Sequence, residues 1–301
     1  MAGLELKGWT VAVVGGDLRM LEHMRGARAA GAMVQHYGSV PGAEAAAGRP
    51  QAASLADALK GAAIISCPIP GVGEDASLFA KYTDEKLLMT RDVLAGAAPG
   101  ALMFTYCNTP QLLAWAKGTP VEVVGYGADD ELCIFHAIAT AEGAIKIAIE
   151  NTDETLLGMS VLCFGFGRVG TSVAEAFHAM KARVSVAARN PAQLARATSM
   201  GLMPIQLSEV GEHIGRFSLL VSSSSGRVLT RELIARTRPD VLILDLCSPP
   251  GSVDFAAAKE LNRRVVWGRA QAGTAPRSAG RHEWQVLMRI VRERKLKGSS
   301  A

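Results

Sequence analysis

The sequence is poor in aromatic residues, in net charge and in cysteine pairs. Aromatic side chains make up 5% of the 301 residues, and the formal net charge is only +4. Because this basic excess is small and scattered, we expect no nucleic acid partner. The five cysteines are odd in number and show no C-x-x-C spacing, which argues against a disulfide framework or a metal site. We expect reduced core thiols.

Long apolar runs are also missing. The apolar stretch after Trp9 ends at Gly15 and Gly16, and no run approaches the roughly 18 residues of a membrane-spanning helix. We therefore expect a cytoplasmic protein that is neither exported nor inserted in a membrane. The composition of 49% apolar residues with 31 glycines is typical of an α/β protein, and the length predicts about two domains.

The most informative motif is a glycine fingerprint, G-x-G-x-x-G, between an apolar strand and an alanine-rich helix. Gly165 permits a tight turn, Gly167 removes a side chain that would block a pyrophosphate, and Gly170 lets the helix approach the sheet. Arg168 and Val169 complete the loop. A β-type segment at 183–188 follows at the spacing of a βαβ unit, so the pattern predicts a dinucleotide site.

The residues that end this second strand indicate which cofactor binds. An NAD site usually carries an acidic residue there, about twenty residues past the last glycine, but this chain has Arg189 and Asn190. An arginine attracts the 2′-phosphate that a carboxylate would repel. We predict NADP, with NAD as the alternative; the other interpretation is that Arg189 is merely a solvated arginine at a strand end.

Strands and helices alternate along both halves of the chain, which predicts parallel sheets. In the first half we expect a loop at 41–50, a short helix at 54–60 capped by Ser54, an irregular loop at 67–73 and a helix at 86–94. The expected strands of this half are residues 10–14, 33–37, 63–66, 101–105 and 121–124.

A long helix at 138–150 is expected to link the two domains. Thr140 is its predicted cap, and Glu142 then lies in its first turn, where it either faces the active site or only complements the helix dipole. The predicted domains are residues 1–150 and 151–280. A final helix within 281–301, preceded by a loop up to Gly280, is expected to pack back on the first domain.

Polar side chains follow several of the predicted strands at their carboxyl ends, where open parallel sheets bind ligands. Asp17 and Arg19 follow the first strand, although a solvent-exposed cap pair explains them equally well. Ser222 ends the strand at 219–222 and Ser223 follows it, and Asp245 ends the most apolar strand of the chain. We expect these last three to contact the nicotinamide end of the cofactor.

Taken together, these motifs resemble the dipicolinate synthase A-subunit family over nearly the whole chain. The G-G-D-x-R and A-P-[KR]-[ST]-A-G segments are the most specific. The matching stretches are residues 13–19, 140–143, 165–170, 188–190, 200–204, 242–246 with 254–255, and 275–280. Two loops depart from the family pattern: four serines at 222–225, and residues 268–274, which lack proline-glycine pairs.

The resemblance implies a flavodoxin-like first domain and a Rossmann second domain. It further implies formation of pyridine-2,6-dicarboxylate (dipicolinate) from a dihydrodipicolinate-level intermediate of the lysine pathway during bacterial sporulation. The partner that it implies is a second, flavoprotein-like protein, the dipicolinate synthase B-subunit. We also expect an oligomer. The small-molecule substrate carries two carboxylates, for which Arg19 and Arg277 are our candidate ligands, and Asp17 or Glu142 is the candidate base.

Two other functions fit the same pattern. A D-2-hydroxyacid or alanine dehydrogenase-like enzyme has the same two-domain plan, but it usually needs a histidine paired with an acid near the C-terminal loops. His282 is the one candidate there, and the sequence shows no paired acid. A non-catalytic, NADP-binding regulatory subunit is the alternative outside enzymes.

Overall fold

The computed structural model describes residues 4–298, which form two compact α/β units. The first unit comprises the chain up to Leu132 together with the chain from Ala275 onward, and the second is Cys133–Thr274. Two doubly wound parallel-sheet domains were expected, and the structure confirms them. The domain boundaries lie after Leu132 and after Thr274, whereas residues 150 and 280 were expected. Most of the linking helix belongs to the second domain, which moves the first boundary.

The first domain contains a five-stranded parallel sheet in the order β2-β1-β3-β4-β5, which is the flavodoxin-like order. Apolar helix faces cover both sides of it and form two clusters of buried side chains. The strands are β1 Thr10–Val14, β2 Met33–Tyr37, β3 Ile64–Ser66, β4 Ala101–Thr105 and β5 Val121–Gly125. The helices are α1 Met20–Ala29, α2 Ala43–Ala47, α3 Leu55–Leu59, α4 Arg91–Ala95, α5 Pro110–Ala116 and the linking helix α6 Asp130–Asn151.

The second domain contains a six-stranded parallel sheet in the order β11-β10-β9-β6-β7-β8, which is the Rossmann order read from its last strand. Its strands are β6 Ser160–Phe164, β7 Arg183–Ala188, β8 Met203–Gln206, β9 Leu219–Ser222, β10 Leu242–Asp245 and β11 Arg264–Trp267. Its helices are α7 Arg168–Ala179, α8 Pro191–Ser199, α9 Val210–His213, α10 Arg231–Ala235 and α11 Phe255–Glu260, with 3-10 turns at Leu207–Glu209, Ile214–Arg216 and Gln271–Thr274. The final helix, α12 Pro276–Gly298, belongs to the first domain.

The linking helix α6 begins eight residues earlier than expected, at Asp130 instead of 138. Asp129 accepts a hydrogen bond from the Leu132 backbone, and Thr140 is no cap, because its hydroxyl donates to the His136 carbonyl inside the helix. Glu142 therefore lies more than three turns from the helix start, where the helix dipole no longer favours a carboxylate. The prediction that it lies in the first turn was wrong.

Helix α6 is also the one helix within residues 4–298 that is long and apolar enough to cross a membrane, judged by length and composition alone. This is weak support for a membrane span, since 39% of its apolar window is buried. Ala144, Ile147 and Ala148 belong to the core of the second domain. The apolar character of α6 thus matches that of a core helix.

Three other local predictions were wrong. The stretch 41–50 contains the short helix α2, which is bracketed by Gly42 and Gly48 in left-handed conformations. Within 86–94 the chain is first extended, with Leu88 bridged to Ser77, and becomes helical only at Arg91. Helix α12 starts at Pro276, in the stretch expected to be a loop, because proline fits the first turn of a helix.

Candidate dinucleotide groove and candidate active site

The glycine fingerprint has the geometry that its sequence predicts. Gly165 has φ of 87°, a left-handed conformation that favours glycine. A Cβ at Gly170 would lie 2.2 Å from the Gly165 carbonyl oxygen, so only glycine permits this close approach of α7. A Cβ at Gly167 would meet no atom within 4 Å. Gly167 therefore faces open space at the N-terminus of α7, which suits a pyrophosphate.

A groove of 310 Å³ runs from this loop to the end of β7. Gly167, Arg189 and Asn190 line it together with the serine loop, which we define as Ser223–Ser225. The Arg189 side chain is exposed, while Asn190 accepts a hydrogen bond from the Ala192 backbone at 2.9 Å and so caps α8. Five of the expected cofactor residues, namely Gly165, Gly167, Arg189, Asn190 and Ser223, therefore line one groove, in which the amide nitrogen of Asn190 is left to donate.

A second groove, of 480 Å³, is also lined by the serine loop. Val169, Cys247 and Pro249 line it, and Arg168 lies beside Val169 in the first turn of α7. Cys247 donates a hydrogen bond to the Ser224 carbonyl, with the sulfur 3.2 Å from the oxygen, and burial raises the pKa of its thiol to about 11. Cys247 therefore holds the serine loop as a neutral donor.

Ser222 and Asp245 were expected to contact the cofactor, but the structure gives them an internal role. Both are fully buried. The Asp245 carboxylate accepts hydrogen bonds from the backbones of Cys247, Ser252 and Val253, and the Ser252 hydroxyl bridges it to Ser222. With its acceptors engaged in this way, Asp245 shapes the loop that lines the second groove, and direct contact with the nicotinamide is not its role.

In the first domain, the Gly15-Gly16 turn after β1 accommodates another segment of the chain. A Cβ on Gly15 would lie 2.7 Å from the Phe79 carbonyl oxygen. The Gly16 backbone donates to that same carbonyl, and Lys81 donates to the Gly16 carbonyl. We call residues 77–82 the strap. The glycine pair thus permits the strap to cross the carboxyl end of β1.

Asp17 and Arg19 form one half of a buried charge network. The Arg19 guanidinium binds Asp17 through two nitrogens, at 2.9 and 3.0 Å, and donates to Glu283 of α12 at 2.9 Å. Glu283 also lies 3.2 Å from His23, whose other ring nitrogen bonds Ser66 at 2.8 Å. Burial alone would lower the pKa of Arg19, but Glu283 and Asp17 outweigh it and raise the pKa further above its ordinary value.

This network changes the expected role of Arg19. Its side chain is only 8% exposed, and three of its N–H groups already serve carboxylates of the protein. It is therefore poorly placed for the expected contact with a substrate carboxylate. Asp17 is 17% exposed, so its carboxylate reaches the surface of the domain while Arg19 fixes its orientation.

The remaining two predicted residues are exposed. Arg277 lies in the first turn of α12, and Gly280 follows three residues later. A Cβ on Gly280 would lie 2.4 Å from the Arg19 carbonyl oxygen, so this turn of α12 lies against the β1 loop and places Arg277 at the same end of the domain as Asp17. Glu142 is exposed on the second-domain part of α6.

Comparison with known proteins agrees with this architecture. The sequence model of the family described as the N-terminal domain of the dipicolinate synthase A-subunit matches residues 10–126. The dipicolinate synthase A-subunit of Bacillus subtilis (strain 168) is 28% identical over 289 residues, which cover 96% of this chain and 97% of the relative. The chain is therefore similar to the dipicolinate synthase A-subunit over nearly its whole length.

The solved structures extend the comparison to the fold. The dipicolinate synthase A-subunit from Bacillus halodurans superposes with a TM-score of 0.87 at 27% identity, over 95% of this chain and 98% of that one. An L-alanine dehydrogenase superposes with a TM-score of 0.66 at 16% identity, over 94% and 88% of the two chains, and so shares the fold. The resemblance to the dipicolinate synthase A-subunit family is confirmed.

Two parts of the site were not found from the sequence. The strap places Lys81 and Phe79 beside Gly16, but no motif marks this segment. His23 and Glu283 are separated from their partners by 43 and 264 residues, respectively. A single sequence gives no signal for such long-range pairs.

Proposed function

We propose that the chain is an NAD(P)-linked oxidoreductase that forms dipicolinate from a dihydrodipicolinate-level intermediate. The observation that carries this proposal is the pair of grooves beside the glycine fingerprint that share the serine loop, in a chain similar along nearly its whole length to the dipicolinate synthase A-subunit. The bound nicotinamide would supply the hydride acceptor. The protein must then orient the dicarboxylate, exclude water and accept one proton as the ring becomes aromatic.

The preferred cofactor is NADP. Support comes from the end of β7, where the exposed Arg189 and the free amide nitrogen of Asn190 line the groove where an NAD site usually has an acid. A guanidinium binds a 2′-phosphate through charge-assisted hydrogen bonds. A carboxylate at this position would repel the 2′-phosphate instead.

Asp17 is our candidate base, and Arg277 is our candidate ligand for one substrate carboxylate. Asp17 is partly exposed, and two hydrogen bonds from Arg19 fix its carboxylate in one rotamer at the carboxyl end of β1. Arg277 is exposed at the same end of the first domain. We assign Arg19 to orienting Asp17, and the exposed Lys81 of the strap replaces it as the second candidate cation.

The names of the relatives describe one component of a synthase, which supports a partner protein for this chain as well. We propose a second, flavoprotein-like subunit, and an oligomeric assembly in the cytoplasm. The physiological context would be dipicolinate production in sporulating bacteria.

The test is an absorbance assay for dipicolinate with the lysine-pathway intermediate as substrate, with NADP or NAD, and with or without the partner subunit. Gly167→Val is the matched inactive control, since its side chain enters the open space of the groove and meets no protein atom at Cβ. We expect turnover that this variant abolishes without a loss of thermal stability. NADP binding with no dipicolinate formed under any condition would refute the enzyme proposal and favour a regulatory subunit.

The assignment of Asp17 is tested separately. Asp17→Asn should lower turnover by about 10²–10⁴-fold and leave NADP affinity unchanged, because the cofactor groove lies in the other domain. The exposed Asp84→Asn serves as control, and Glu142→Gln should not affect the chemical step. An Asp17→Asn enzyme with near-normal turnover would transfer the role of base to Glu142 or to the partner subunit.

A further inference from the structure

The second domain has a third groove, of 460 Å³, at the amino ends of its strands. The glycine fingerprint and the two dinucleotide grooves lie at the carboxyl ends, on the opposite edge of the same sheet. Five of the ten residues that line this third groove are arginine or serine, namely Ser160, Arg183, Arg216, Ser218 and Arg238. The cofactor does not account for them.

The three arginines reach the groove from separate elements. Arg183 begins β7, Arg216 ends the 3-10 turn Ile214–Arg216, and Arg238 follows α10. Within the described part of the chain, Arg183 and Arg216 pair with no carboxylate. These two guanidinium groups outnumber the single carboxylate that lines the groove, that of Glu154, and so create a positive potential there, which favours an anion.

Arg238 has a different task from the other two arginines. It binds Asp240 through two nitrogens and donates from the third to the Ser218 hydroxyl oxygen at 2.9 Å. Because Ser218 accepts this bond, its own hydroxyl proton is free to point into the groove. Arg183 likewise donates a hydrogen bond to the Ser160 hydroxyl oxygen, at 3.4 Å, so the Ser160 hydroxyl proton is also free to point into the groove.

We propose that this groove binds a phosphate group, either as free phosphate or as part of a small phosphate-bearing metabolite. The donors are two guanidinium groups and two hydroxyls, and they approach from different elements. A planar carboxylate is satisfied by one bidentate arginine, whereas a tetrahedral phosphate accepts hydrogen bonds from several directions at once. The arrangement therefore fits a phosphate better than a carboxylate, and so differs in chemistry from the proposed dicarboxylate substrate.

One acidic residue opposes this binding. The Glu154 carboxylate lines the groove and lies 3.9 Å from Arg238. Removal of its charge should strengthen anion binding, whereas removal of an arginine charge should weaken it. This pair of opposite responses distinguishes a defined site from general attraction to a basic surface.

The experiment is calorimetric titration of the Gly167→Val protein with inorganic phosphate, which avoids phosphate binding at the glycine loop. We expect Arg183→Gln and Arg216→Gln each to weaken phosphate affinity about tenfold, as is typical for loss of one charge-assisted hydrogen bond. Glu154→Gln should strengthen it. Arg231→Gln, which removes an exposed arginine of α10 outside the groove, should have no effect.

Parallel titrations with glycerol phosphate and with succinate identify the ligand class. Tighter binding of glycerol phosphate than of inorganic phosphate assigns the groove to a phosphate-bearing metabolite, and the reverse assigns it to free phosphate. Succinate binding that is tighter than both would overturn the proposal. Equal losses of affinity in the groove variants and in Arg231→Gln would also overturn it, because binding would then follow net charge alone.

Discussion

Whether Arg19 is a structural residue or a substrate ligand can be decided by how much its removal destabilises the first domain. In Arg19→Met the carboxylates of Asp17 and Glu283 lose their contacts with the guanidinium, and Glu283 has a side chain only 1% exposed. Breaking a buried ion pair by removing one partner typically costs about 3–5 kcal/mol, because a buried charge is left uncompensated. At about 2–4 °C per kcal/mol for a domain of this size, the transition of the first domain should fall by roughly 6–20 °C.

Differential scanning calorimetry measures this effect, and Arg25→Met provides the control. Arg25 lies on α1, the helix that begins directly after Arg19, and pairs with Glu22, but its side chain is 51% exposed, so its removal should cost less than about 1 kcal/mol. Adding Glu283→Met to the Arg19 variant should recover part of the lost stability. If Arg19→Met melts like the control and only loses substrate affinity, then Arg19 is a substrate ligand and our interpretation of the network is wrong.

Three further predictions concern other parts of the molecule. Arg189→Asp should reverse the preference for NADP over NAD, at a cost in NADP binding of about 1.5–3 kcal/mol measured by titration; equal affinities in the unmodified protein would contradict the cofactor proposal. Asp245→Asn should weaken binding of both NADP and NAD and destabilise the second domain, since it replaces one of the two buried carboxylate oxygens that accept from three backbone N–H groups. Unchanged cofactor binding and an unchanged melting temperature would count against the role of Asp245 in shaping the loop. Burial alone would raise the pKa of Glu22, but hydrogen bonds from Arg281 and Arg25 lower it below its ordinary value. The ionised Glu22 therefore stabilises the fold above a pH of about 4.5, and this stabilisation is lost as the pH falls. Glu22→Gln should flatten the dependence of melting temperature on pH in that acidic range, and an unchanged slope would contradict the shift.

The sheets could be predicted from the sequence because their strands are continuous apolar runs between turn residues. Residues 10–14 and 241–245 are examples, and both became buried parallel strands. The glycine fingerprint was equally predictable, since each glycine meets a local backbone requirement. Nothing in these arguments needs knowledge of distant residues.

Helix ends and buried polar groups were harder to predict. Thr140 has the residue type of a cap, but Asp129 caps an earlier start, and Leu132 in that first turn belongs to the core of the first domain. Asp245 has the residue type of a ligand contact, yet it is satisfied by a loop that follows it in the chain. Arg19 was misinterpreted for the same reason, because its partner Glu283 lies 264 residues away.

The return of α12 to the first domain has a consequence for the order in which the protein is made. Val286, Leu287 and Val291 belong to the same core cluster as Val11 and Met24, so the first domain lacks part of its interior until the last helix emerges. A ribosome therefore completes the whole Rossmann domain before the domain begun first can close. Contacts between residues so far apart in sequence also slow folding. Until then the nascent N-terminal half exposes the apolar surface that α12 later covers, and we expect chaperones to bind it during synthesis.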